Sequence, residues 1–324
     1  MTRLEIAVDK DSRIFIAGHR GMLGSALIRS LTELGYQNVL TVTREALDLR
    51  DPGAVCQWFA DTRPEYVINA AALVGGIRVN QARPAEFIHT NLMIITSIVD
   101  ASHQHGVKRL INFGSNCAYP KFCDQPMPET SLLTGKPEPT SLAYAMSKLA
   151  GMQLCAAYNR QHGTKFLTVI PATLYGPNDN FDLESSHVLS ALIRKCHEVK
   201  AGERDGLQLW GTGTPKREFL YVDDMADACL FLLQQPWASI AEAVSDRDFV
   251  MNVGSGDEWS MLDLAKCIAT ITECGSEPLT DPSQPDGSPR RLLDSTIVNQ
   301  LGWHAQTPLQ DGIRETYRWF LNQG

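Results

Sequence analysis

Residues 13–24 read Arg-Ile-Phe-Ile-Ala-Gly-His-Arg-Gly-Met-Leu-Gly, and this stretch decides the fold. Its first part, Arg13 to Ala17, is a short apolar run with the composition of a buried parallel strand. Its second part, Gly18 to Gly24, is rich in glycine, which lets the backbone turn tightly and approach a ligand. Ser25 to Gly35 then has the periodicity of an amphipathic helix. A strand, a glycine turn and a helix in this order predict a dinucleotide-binding unit, in which the N–H groups at the helix start meet a pyrophosphate.

The end of the second predicted strand, Val39 to Val42, bears on the choice of cofactor. An NAD site usually has a carboxylate here that binds the ribose 2′-hydroxyl. In this chain Arg44 follows the strand and Arg20 lies in the glycine turn. Two guanidinium groups suit the charge of a 2′-phosphate. Although Glu45 is adjacent, we therefore expect NADP(H) rather than NAD.

The alternation of apolar runs and helical patterns continues to a fifth strand at Lys165 to Pro171. It predicts an α/β fold with a Rossmann-type, doubly wound parallel sheet and right-handed crossovers. Longer loops rich in Gly, Pro, Asp and Asn follow, which indicates a smaller, interleaved α/β substrate lobe. We expect residues 1–173 to form the NADP-binding domain, completed by about 219–253, and residues 174–324 to form the substrate lobe.

Tyr144 and Lys148 are four residues apart in a helical pattern that runs to about Tyr158, so they lie on one face of the helix. An ammonium group near a phenol favours the phenolate, so we expect Lys148 to lower the pKa of Tyr144 from its usual value of about 10. Tyr144 then becomes a proton donor and acceptor at neutral pH. Ser115 follows the fourth strand, at the sheet edge where ligands bind in open α/β folds.

Composition limits the classes of function. The chain has 324 residues, of which 44% are hydrophobic and 20% charged, and 29 basic against 37 acidic residues give a net charge of −8. No basic cluster indicates nucleic-acid binding, no apolar run is long enough to span a membrane, and Met1 to Lys10 lacks the apolar core of a signal peptide. The eight cysteines form no CxxC pair. We expect free thiols, no metal site and a cytoplasmic protein.

Short motifs spread over nearly the whole chain carry a resemblance. They are Gly18-His19-Arg20-Gly21-Met22, Val74-Gly75-Gly76-Ile77, Ser115 with Cys117 and Tyr119-Pro120, Tyr144 with Lys148, Leu174 to Phe181, Ser186-His187-Val188, Trp210 to Gly213, Arg217-Glu218-Phe219, Gln284 to Gly287, Pro289-Arg290 and Leu292-Leu293-Asp294. With them the chain resembles the extended short-chain dehydrogenase/reductase superfamily. Within it, the chain is most similar to the GDP-L-fucose synthase family, NADPH-dependent epimerase/reductases that act on GDP-4-keto-6-deoxy-D-mannose.

The resemblance implies a role for each catalytic residue. A 4-keto group acidifies the protons on C3 and C5, so each centre can be inverted through an enolate by a base and an acid on opposite faces. Cys117 corresponds to the base and His187 to the acid. In the following reduction Tyr144 protonates the alkoxide, Lys148 lowers its pKa and binds the cofactor ribose, and Ser115 donates a hydrogen bond to the carbonyl oxygen.

The same resemblance implies the ligand contacts and a homodimer that forms through the long helices near Leu92 to His105 and Ser141 to Gln161. For the GDP-sugar, Lys195 and Arg217 bind the diphosphate, Trp210 contacts the nucleotide and Asp286 binds hydroxyl or guanine N–H groups. The expected NADP(H) contacts are Gly18, His19, Arg20, Gly21, Met22, Leu23, Gly24, Arg44, Asp48, Leu49, Ala71, Phe113, Gly114, Lys148, Pro171, Ala172, Thr173, Leu174 and His187.

The chain departs from the family pattern at two positions. Asn116 stands where Ser or Thr is expected, which changes the hydrogen bonds beside Cys117. Lys195 stands where Arg is expected, which replaces a bidentate phosphate ligand by a point charge. Both changes bear on rate and affinity rather than on the class of reaction.

Two other readings stay open. One is a sibling nucleotide-sugar enzyme, such as a GDP-colitose-type synthase, a sugar 4-epimerase or a dehydratase. A 4-epimerase leaves Cys117, His187 and Arg44 unexplained, and the Ser115-Asn116-Cys117 turn lacks the carboxylate pair of a 4,6-dehydratase, whereas a colitose-type enzyme would use nearly the same residues. The other reading is a nucleotide-sensing regulator, for which a tuned phenol would have no use.

Overall fold

A computed structural model describes residues 8–284 and 286–323. Two parts of the sequence argument involve residues outside this range. Met1 to Ala7, most of the segment whose composition argues against a signal peptide, is one of them. The other is Pro285 of the motif at residues 284–287.

The secondary structure consists of strands and helices that alternate along the first half of the chain. The strands are β1 (Ile14–Ala17), β2 (Val39–Leu40), β3 (Tyr66–Asn69), β4 (Arg109–Phe113), β5 (Phe166–Pro171), β6 (Thr173–Tyr175), β7 (Gln208–Trp210), β8 (Lys216–Tyr221), β9 (Val250–Val253), β10 (Glu258–Ser260), β11 (Leu279–Asp281) and β12 (Arg290–Arg291). The α-helices are α1 (Met22–Glu33), α2 (Pro52–Thr62), α3 (Ile77–Ala82), α4 (Pro84–Gln104), α5 (Leu142–His162), α6 (Val188–Lys200), α7 (Val222–Gln234), α8 (Trp237–Val244), α9 (Met261–Thr272), α10 (Thr296–Gln300) and α11 (Leu309–Leu321). Short 3₁₀ turns lie at Asn116–Ala118, Glu129–Ser131, Pro139–Ser141 and Ser245–Arg247.

The main sheet has six parallel strands in the order β2-β1-β3-β4-β5-β9. The predicted Rossmann-type α/β fold is confirmed. The strands are largely apolar because both faces are covered: the four residues of β1 are at most 1% exposed. The order reverses between β1 and β3, and ligands bind at the carboxyl ends of strands at such a switch point.

Helices cover both faces of this sheet. Helices α1 and α7 pack together on one face, and α2, α4 and α5 pack on the other. Phe15 of β1 anchors the second face, since its ring lies 4.4 Å from that of Trp58 and 5.8 Å from that of Phe59. Helix α1 begins at Met22, three residues before the predicted Ser25, because Gly21 takes the extended conformation of an N-cap residue.

The second region is built on smaller sheets. After one residue the chain passes from β5 into β6, which pairs with β8, and β8 also pairs with β10 and β12. Strands β7 and β11 form a separate pair, and α6, α9 and α11 share a hydrophobic core with this region. Of the segment 219–253, β9 lies in the main sheet, whereas β8 pairs only with strands of the second region. The domain boundary at residue 173 stays a prediction.

Two general properties of the chain can be read from the described residues. All eight cysteines lie within them and are free thiols, as predicted. None of the helices in residues 8–284 and 286–323 has the length and apolar character needed to cross a membrane.

Candidate active site

The glycine turn between β1 and α1 lies against the chain that follows β3. Gly18 has φ of +77°, and a Cβ atom there would lie 2.8 Å from the Ala71 backbone. A Cβ on Gly24 would lie 2.2 Å from the Gly18 carbonyl oxygen, so both positions require glycine. Gly21 caps α1 without a side-chain hydrogen bond, which leaves N–H groups of the first turn for an anion. The structure thus provides the cradle that a pyrophosphate needs.

The two arginines that are predicted to bind a 2′-phosphate both lie near Glu45. Arg20 lies 3.8 Å from the carboxylate of Glu45, and Arg44 is exposed. Hydrogen bonds from its own N–H and from Thr43, with smaller contributions from Arg20 and Arg44, lower the pKa of Glu45. The Glu45 carboxylate is therefore an anion that partly offsets the two guanidinium charges.

Asp48 lies beyond β2 at the predicted adenine end of the cradle, next to Leu49, but it already has a partner. The Arg50 side chain donates hydrogen bonds to both oxygens of the Asp48 carboxylate, at 2.9 and 3.0 Å from Nε. This pairing lowers the pKa of Asp48 to about 2. Any contact between the Asp48 carboxylate and a base competes with Arg50.

The other expected cofactor contacts follow the carboxyl ends of the middle strands. Ala71 lies just after β3 and touches Gly18, and Gly114 follows β4 with its N–H bonded to the Val169 carbonyl. The remaining positions lie at the ends of β4 and β5 and in β6: Phe113, Pro171, Ala172, Thr173 and Leu174.

Tyr144, Ser115 and Cys117 come together at the same sheet edge. Ser115 follows β4 and caps a 3₁₀ turn, where its hydroxyl accepts a hydrogen bond from the Cys117 N–H at 3.2 Å. The Ser115 hydroxyl is hydrogen-bonded to the Tyr144 phenol, and the Cys117 thiol interacts with the phenol electrostatically. The Tyr144 ring packs edge-on against Phe87, with ring centres 6.3 Å apart. These contacts group a phenol, a hydroxyl and a thiol.

The pKa of Tyr144 differs from the expectation. Burial raises it, the nearby Cys117 raises it further, and the hydrogen bond with Ser115 lowers it, so that the net shift is upward. The predicted net lowering of the Tyr144 pKa is therefore wrong for this structure, because burial outweighs the other influences on the phenol. Lys148 donates a hydrogen bond to the Phe113 carbonyl at 2.9 Å, and burial lowers the pKa of its own ammonium to about 8.

Two guanidinium groups lie beside Cys117. Arg217 of β8 pairs in register with Arg291 of β12, and Arg291 donates to the Asn116 carbonyl at 3.2 Å. Burial lowers the pKa of Arg217, Arg291 lowers it further, and the Cys117 thiol opposes the shift. Among the residues that the structure describes, neither arginine is paired with a carboxylate. The pair forms a cationic site of the kind that a diphosphate requires.

His187 lies immediately before α6, as predicted, and its side chain is exposed. The segment before His187 is bonded to the turn before α3, since the Gly76 N–H donates to the Ser185 carbonyl at 3.1 Å, and Gly75 of this turn packs on Phe87, which contacts Tyr144. Asp179 bonds to Ser190 in the first turn of α6 and interacts electrostatically with His187. The imidazole is therefore on the substrate-lobe side of the cleft, with a carboxylate nearby.

The expected nucleotide contacts lie at the outer end of the cleft. Lys195 on α6 donates to the Gln208 carbonyl of β7 at 3.4 Å, two residues before Trp210. Trp210 is 52% exposed. The Asp286 carboxylate accepts hydrogen bonds from the Thr212 N–H at 2.9 Å and hydroxyl at 2.7 Å. Asp286 thus already has a partner, Thr212, that sequence reasoning did not foresee.

The family follows from a comparison with known proteins. A model of the NAD dependent epimerase/dehydratase family matches residues 14–254, from β1 to the residue after β9. The chain belongs to this family.

Relatives within the epimerase/dehydratase family extend over nearly the whole chain. GDP-L-fucose synthase 1 of Arabidopsis thaliana is 46% identical over 97% of this chain and 94% of its own length. GDP-L-fucose synthase of Escherichia coli (strain K12) is 45% identical over 95% of this chain and 96% of its own. GDP-L-colitose synthase of Yersinia pseudotuberculosis is 30% identical over 96% of this chain and 98% of its own.

Solved structures of this family superpose closely. A GDP-6-OMe-4-keto-L-xylo-heptose reductase from C. jejuni has a TM-score of 0.92 at 32% identity, with 98% of this chain and 100% of the other covered. A GDP-L-fucose synthetase from Naegleria fowleri bound to NADP has a TM-score of 0.88 at 28% identity, with 98% and 95% covered.

Sequence reasoning missed several residues of this epimerase/dehydratase site. Arg291 is one, because only the pairing of β12 with β8 brings it to Cys117. Asn69 and Asn112 are others: they end or nearly end apolar strands, are buried, and share a hydrogen bond of 3.2 Å beside Lys148. A polar residue within an otherwise apolar strand was the signal that could have found them.

Proposed function

We propose that this chain is an NADPH-dependent enzyme that converts GDP-4-keto-6-deoxy-D-mannose to GDP-L-fucose by 3,5-epimerisation and 4-reduction. The observation that carries the proposal is the grouping of the Tyr144 phenol with the Cys117 thiol, beside two guanidinium groups that have no carboxylate partner in residues 8–284 and 286–323. A plain reductase has no need of the thiol. The identity of about half the residues to GDP-L-fucose synthases over almost the full length supports the same reaction.

NADP(H) fits the residues at the carboxyl edge of the sheet. The backbone approach at Gly18 and Gly24 and the open first turn of α1 suit its pyrophosphate, and Arg20 and Arg44 suit its 2′-phosphate. Lys148 would bind its ribose. When bound, the cofactor supplies the hydride that C4 of the sugar receives.

In the epimerisations, Cys117 acts as the base and His187 as the acid. The thiolate removes the proton on C3 or C5, which the neighbouring C4 carbonyl acidifies, and the electron pair passes into an enolate. Hydrogen bonds from Ser115 and Tyr144 stabilise the developing charge on the carbonyl oxygen. The imidazole then returns a proton to the opposite face of the carbon, which inverts the centre.

In the reduction, Tyr144 acts as the acid. Its raised pKa keeps the phenol protonated through neutral pH, so it can donate its proton to the C4 oxygen as charge develops there. Lys148 in its ammonium form stabilises the phenolate that remains. Ser115 fixes the orientation of the same oxygen.

The diphosphate of the substrate would lie between the two regions of the fold. Arg217 and Arg291 offer donors beside Cys117, and Lys195 offers a further cation at the outer end. Trp210 contacts the nucleotide, and Asp286 reaches its hydroxyl or N–H groups only in competition with Thr212. This order along the cleft brings the sugar to Tyr144 and Cys117 and the base toward Trp210.

We also propose that the enzyme is a cytoplasmic homodimer. Eight free cysteines suit a reducing compartment. The long helices α4 and α5 pack together, and α5 leaves Leu142 and Met146 over 40% exposed, which a second copy of the chain would cover. Sedimentation of the purified protein tests the dimer, and a monomer at all concentrations contradicts it.

One experiment tests the proposed reaction. The purified protein is incubated in D₂O with NADPH and, in separate reactions, with enzymatically prepared GDP-4-keto-6-deoxymannose or its 3,6-dideoxy counterpart, and the products are identified by NMR. We expect GDP-L-fucose with deuterium at C3 and C5. Reduction without deuterium uptake indicates a simple 4-reductase, and turnover only of the 3,6-dideoxy ketosugar indicates a colitose-type synthase. Nucleotide binding without turnover of either sugar indicates a sensor.

A further inference from the structure

The turn that begins α3 is bonded to the segment before α6 and braced by a residue of α3 itself. The Gly76 N–H donates to the Ser185 carbonyl at 3.1 Å, next to His187. The side-chain amide of Asn80 donates to the carbonyls of Gly75 and Gly76, at 2.7 and 3.1 Å. These bonds hold the first residues of α3 at the rim of the cleft.

Arg78, in the first turn of α3, reaches across this rim to the substrate lobe. Its guanidinium carbon lies 4.7 Å from the centre of the Trp210 ring, in a cation–π contact. Arg78 is exposed, and about half of Trp210 is exposed. Within the described part of the chain, no carboxylate lies at ion-pair distance from Arg78. Its N–H donors are therefore available to a ligand, while the contact with the indole ring limits the positions of the guanidinium group.

The contact lies at the nucleotide end of the proposed site. Trp210 ends β7, and the same strand accepts a hydrogen bond from Lys195 two residues earlier. Arg217 and Arg291, which suit the diphosphate, lie further in, beside Cys117. A base that extends outward from the diphosphate would meet Arg78 and Trp210.

We propose that Arg78 is a specificity-determining residue that reads the base of the nucleotide-sugar and selects a 6-oxopurine. Guanine presents two acceptors, O6 and N7, at the spacing of the arginine fork, whereas adenine presents a donor at the position of O6. This inference rests on the proposed function, since it concerns how the same site chooses its GDP-sugar.

The test uses isothermal titration calorimetry to measure how tightly nucleoside diphosphates bind to the wild type and to two variants of Arg78. GDP and IDP both carry O6 and N7, and ADP carries the 6-amino group. We expect Arg78→Ala to weaken the binding of GDP and IDP by on the order of tenfold and to leave the affinity for ADP nearly unchanged. Arg78→Lys keeps the charge but not the fork, so it should lose most of the preference for GDP over ADP.

Arg83→Ala is the matched control. Arg83 follows the same helix, is also exposed, and pairs with Glu86 instead of an aromatic ring. Its removal takes away the same charge and should leave all three affinities unchanged. An equal loss for GDP, IDP and ADP in Arg78→Ala identifies a charge contact with the diphosphate and overturns base recognition, as does no loss at all.

The result separates this inference from the proposed function. If the wild type turns over the GDP-sugar and binds GDP, but the Arg78 variants keep its nucleotide preference, only the role of Arg78 is overturned. If the wild type does not bind GDP, both the proposed function and the role of Arg78 are overturned.

Discussion

The ammonium nitrogen of Lys148 lies 5.7 Å from the centre of the Tyr144 ring, one helical turn away on α5. It donates a hydrogen bond to the Phe113 carbonyl rather than to the phenol. Burial acts on the two groups in opposite directions, because it disfavours the charged form of each: it raises the pKa of Tyr144 and lowers that of Lys148 to about 8. At neutral pH the pair is therefore a neutral phenol beside an ammonium group.

This pair predicts how reduction depends on pH. Lys148 is charged below its pKa of about 8 and loses its proton above it. Because the ammonium stabilises the phenolate left on Tyr144, the rate of NADPH oxidation should fall as pH rises through about 8. Lys148→Met should be slow and lack this fall. Lys108→Met is the control, since Lys108 bonds to Glu65 at 2.7 Å, far from the site, and its loss should keep the wild-type profile.

Tyr144→Phe separates reduction from epimerisation. Without the phenol no group protonates the C4 oxygen, so reduction should drop by about 100-fold or more. Some solvent exchange at C3 and C5 should survive, because Cys117 and His187 perform the proton transfers and Ser115 still donates to the carbonyl oxygen. Single-turnover NADPH oxidation and deuterium uptake measure the two steps. Tyr158→Phe, on the same helix but bonded to Asp100, should leave both unchanged; loss of all exchange in Tyr144→Phe contradicts separate roles.

Cys117→Ser tests the base. A serine hydroxyl ionises far less readily than a thiol, so deuterium uptake and product should both fall by about 100-fold or more. Cys123→Ser is the matched control, since Cys123 is a free, partly buried thiol later in the same loop. Normal GDP-L-fucose formation by Cys117→Ser would remove the thiol from the mechanism.

Arg44→Ala tests the 2′-phosphate contact. Loss of a charged hydrogen bond to the phosphate should raise the KM for NADPH by on the order of tenfold or more and leave the KM for NADH nearly unchanged. Arg63→Ala is a control, because Arg63 is an exposed arginine at the end of α2. Steady-state kinetics with the two cofactors give the ratio, and an unchanged ratio would refute the assignment of Arg44.

Short sequence patterns predicted those features of the site that depend on a single helix or a single βαβ unit. The spacing of Tyr144 and Lys148 is a property of a helix, and the order of strand, glycine turn and helix is a property of one βαβ unit. The sign of the pKa shift at Tyr144 was mispredicted because burial is a tertiary property: the phenol packs against Phe87 and beside Cys117, from distant segments.

Contacts between distant segments account for the features of the site that the sequence did not predict. Arg291 reaches Asn116 only because β12 pairs with β8, and nothing near Arg291 in the sequence indicates that pairing. Asp286 was expected to face the substrate, but Gly211 allows it to approach and bond Thr212. In both cases a charged residue acquires its partner from a segment about seventy positions or more away, which no periodicity reveals.

The loop that carries Cys117 is held to the sheet by one buried side chain. Asn252 of β9 is fully buried; its oxygen accepts from the Tyr119 hydroxyl at 2.7 Å, and its amide donates to the carbonyls of Met127 and Asp294 at 2.9 and 3.1 Å. The three bonds tie together the loop after Cys117 and the segment after β12. Because Tyr119 is two residues from Cys117, this network also determines where the thiol lies.

Asn252→Ala should therefore lower the free energy of unfolding more than Tyr119→Phe does. Asn252→Ala removes the three side-chain hydrogen bonds of a fully buried residue, so the free energy of unfolding should fall by about 3 kcal/mol, whereas Tyr119→Phe breaks one bond and should cost about 1 kcal/mol. Urea denaturation measures both, with exposed Asn322→Ala as the control. In the folded variant, Asn252→Ala should also slow deuterium uptake at C3 and C5 of the substrate more than it weakens NADPH binding. The reason is that the cofactor cradle at Gly18 lies on other strands. Equal losses in the two variants would mean that the Tyr119 bond alone positions the loop.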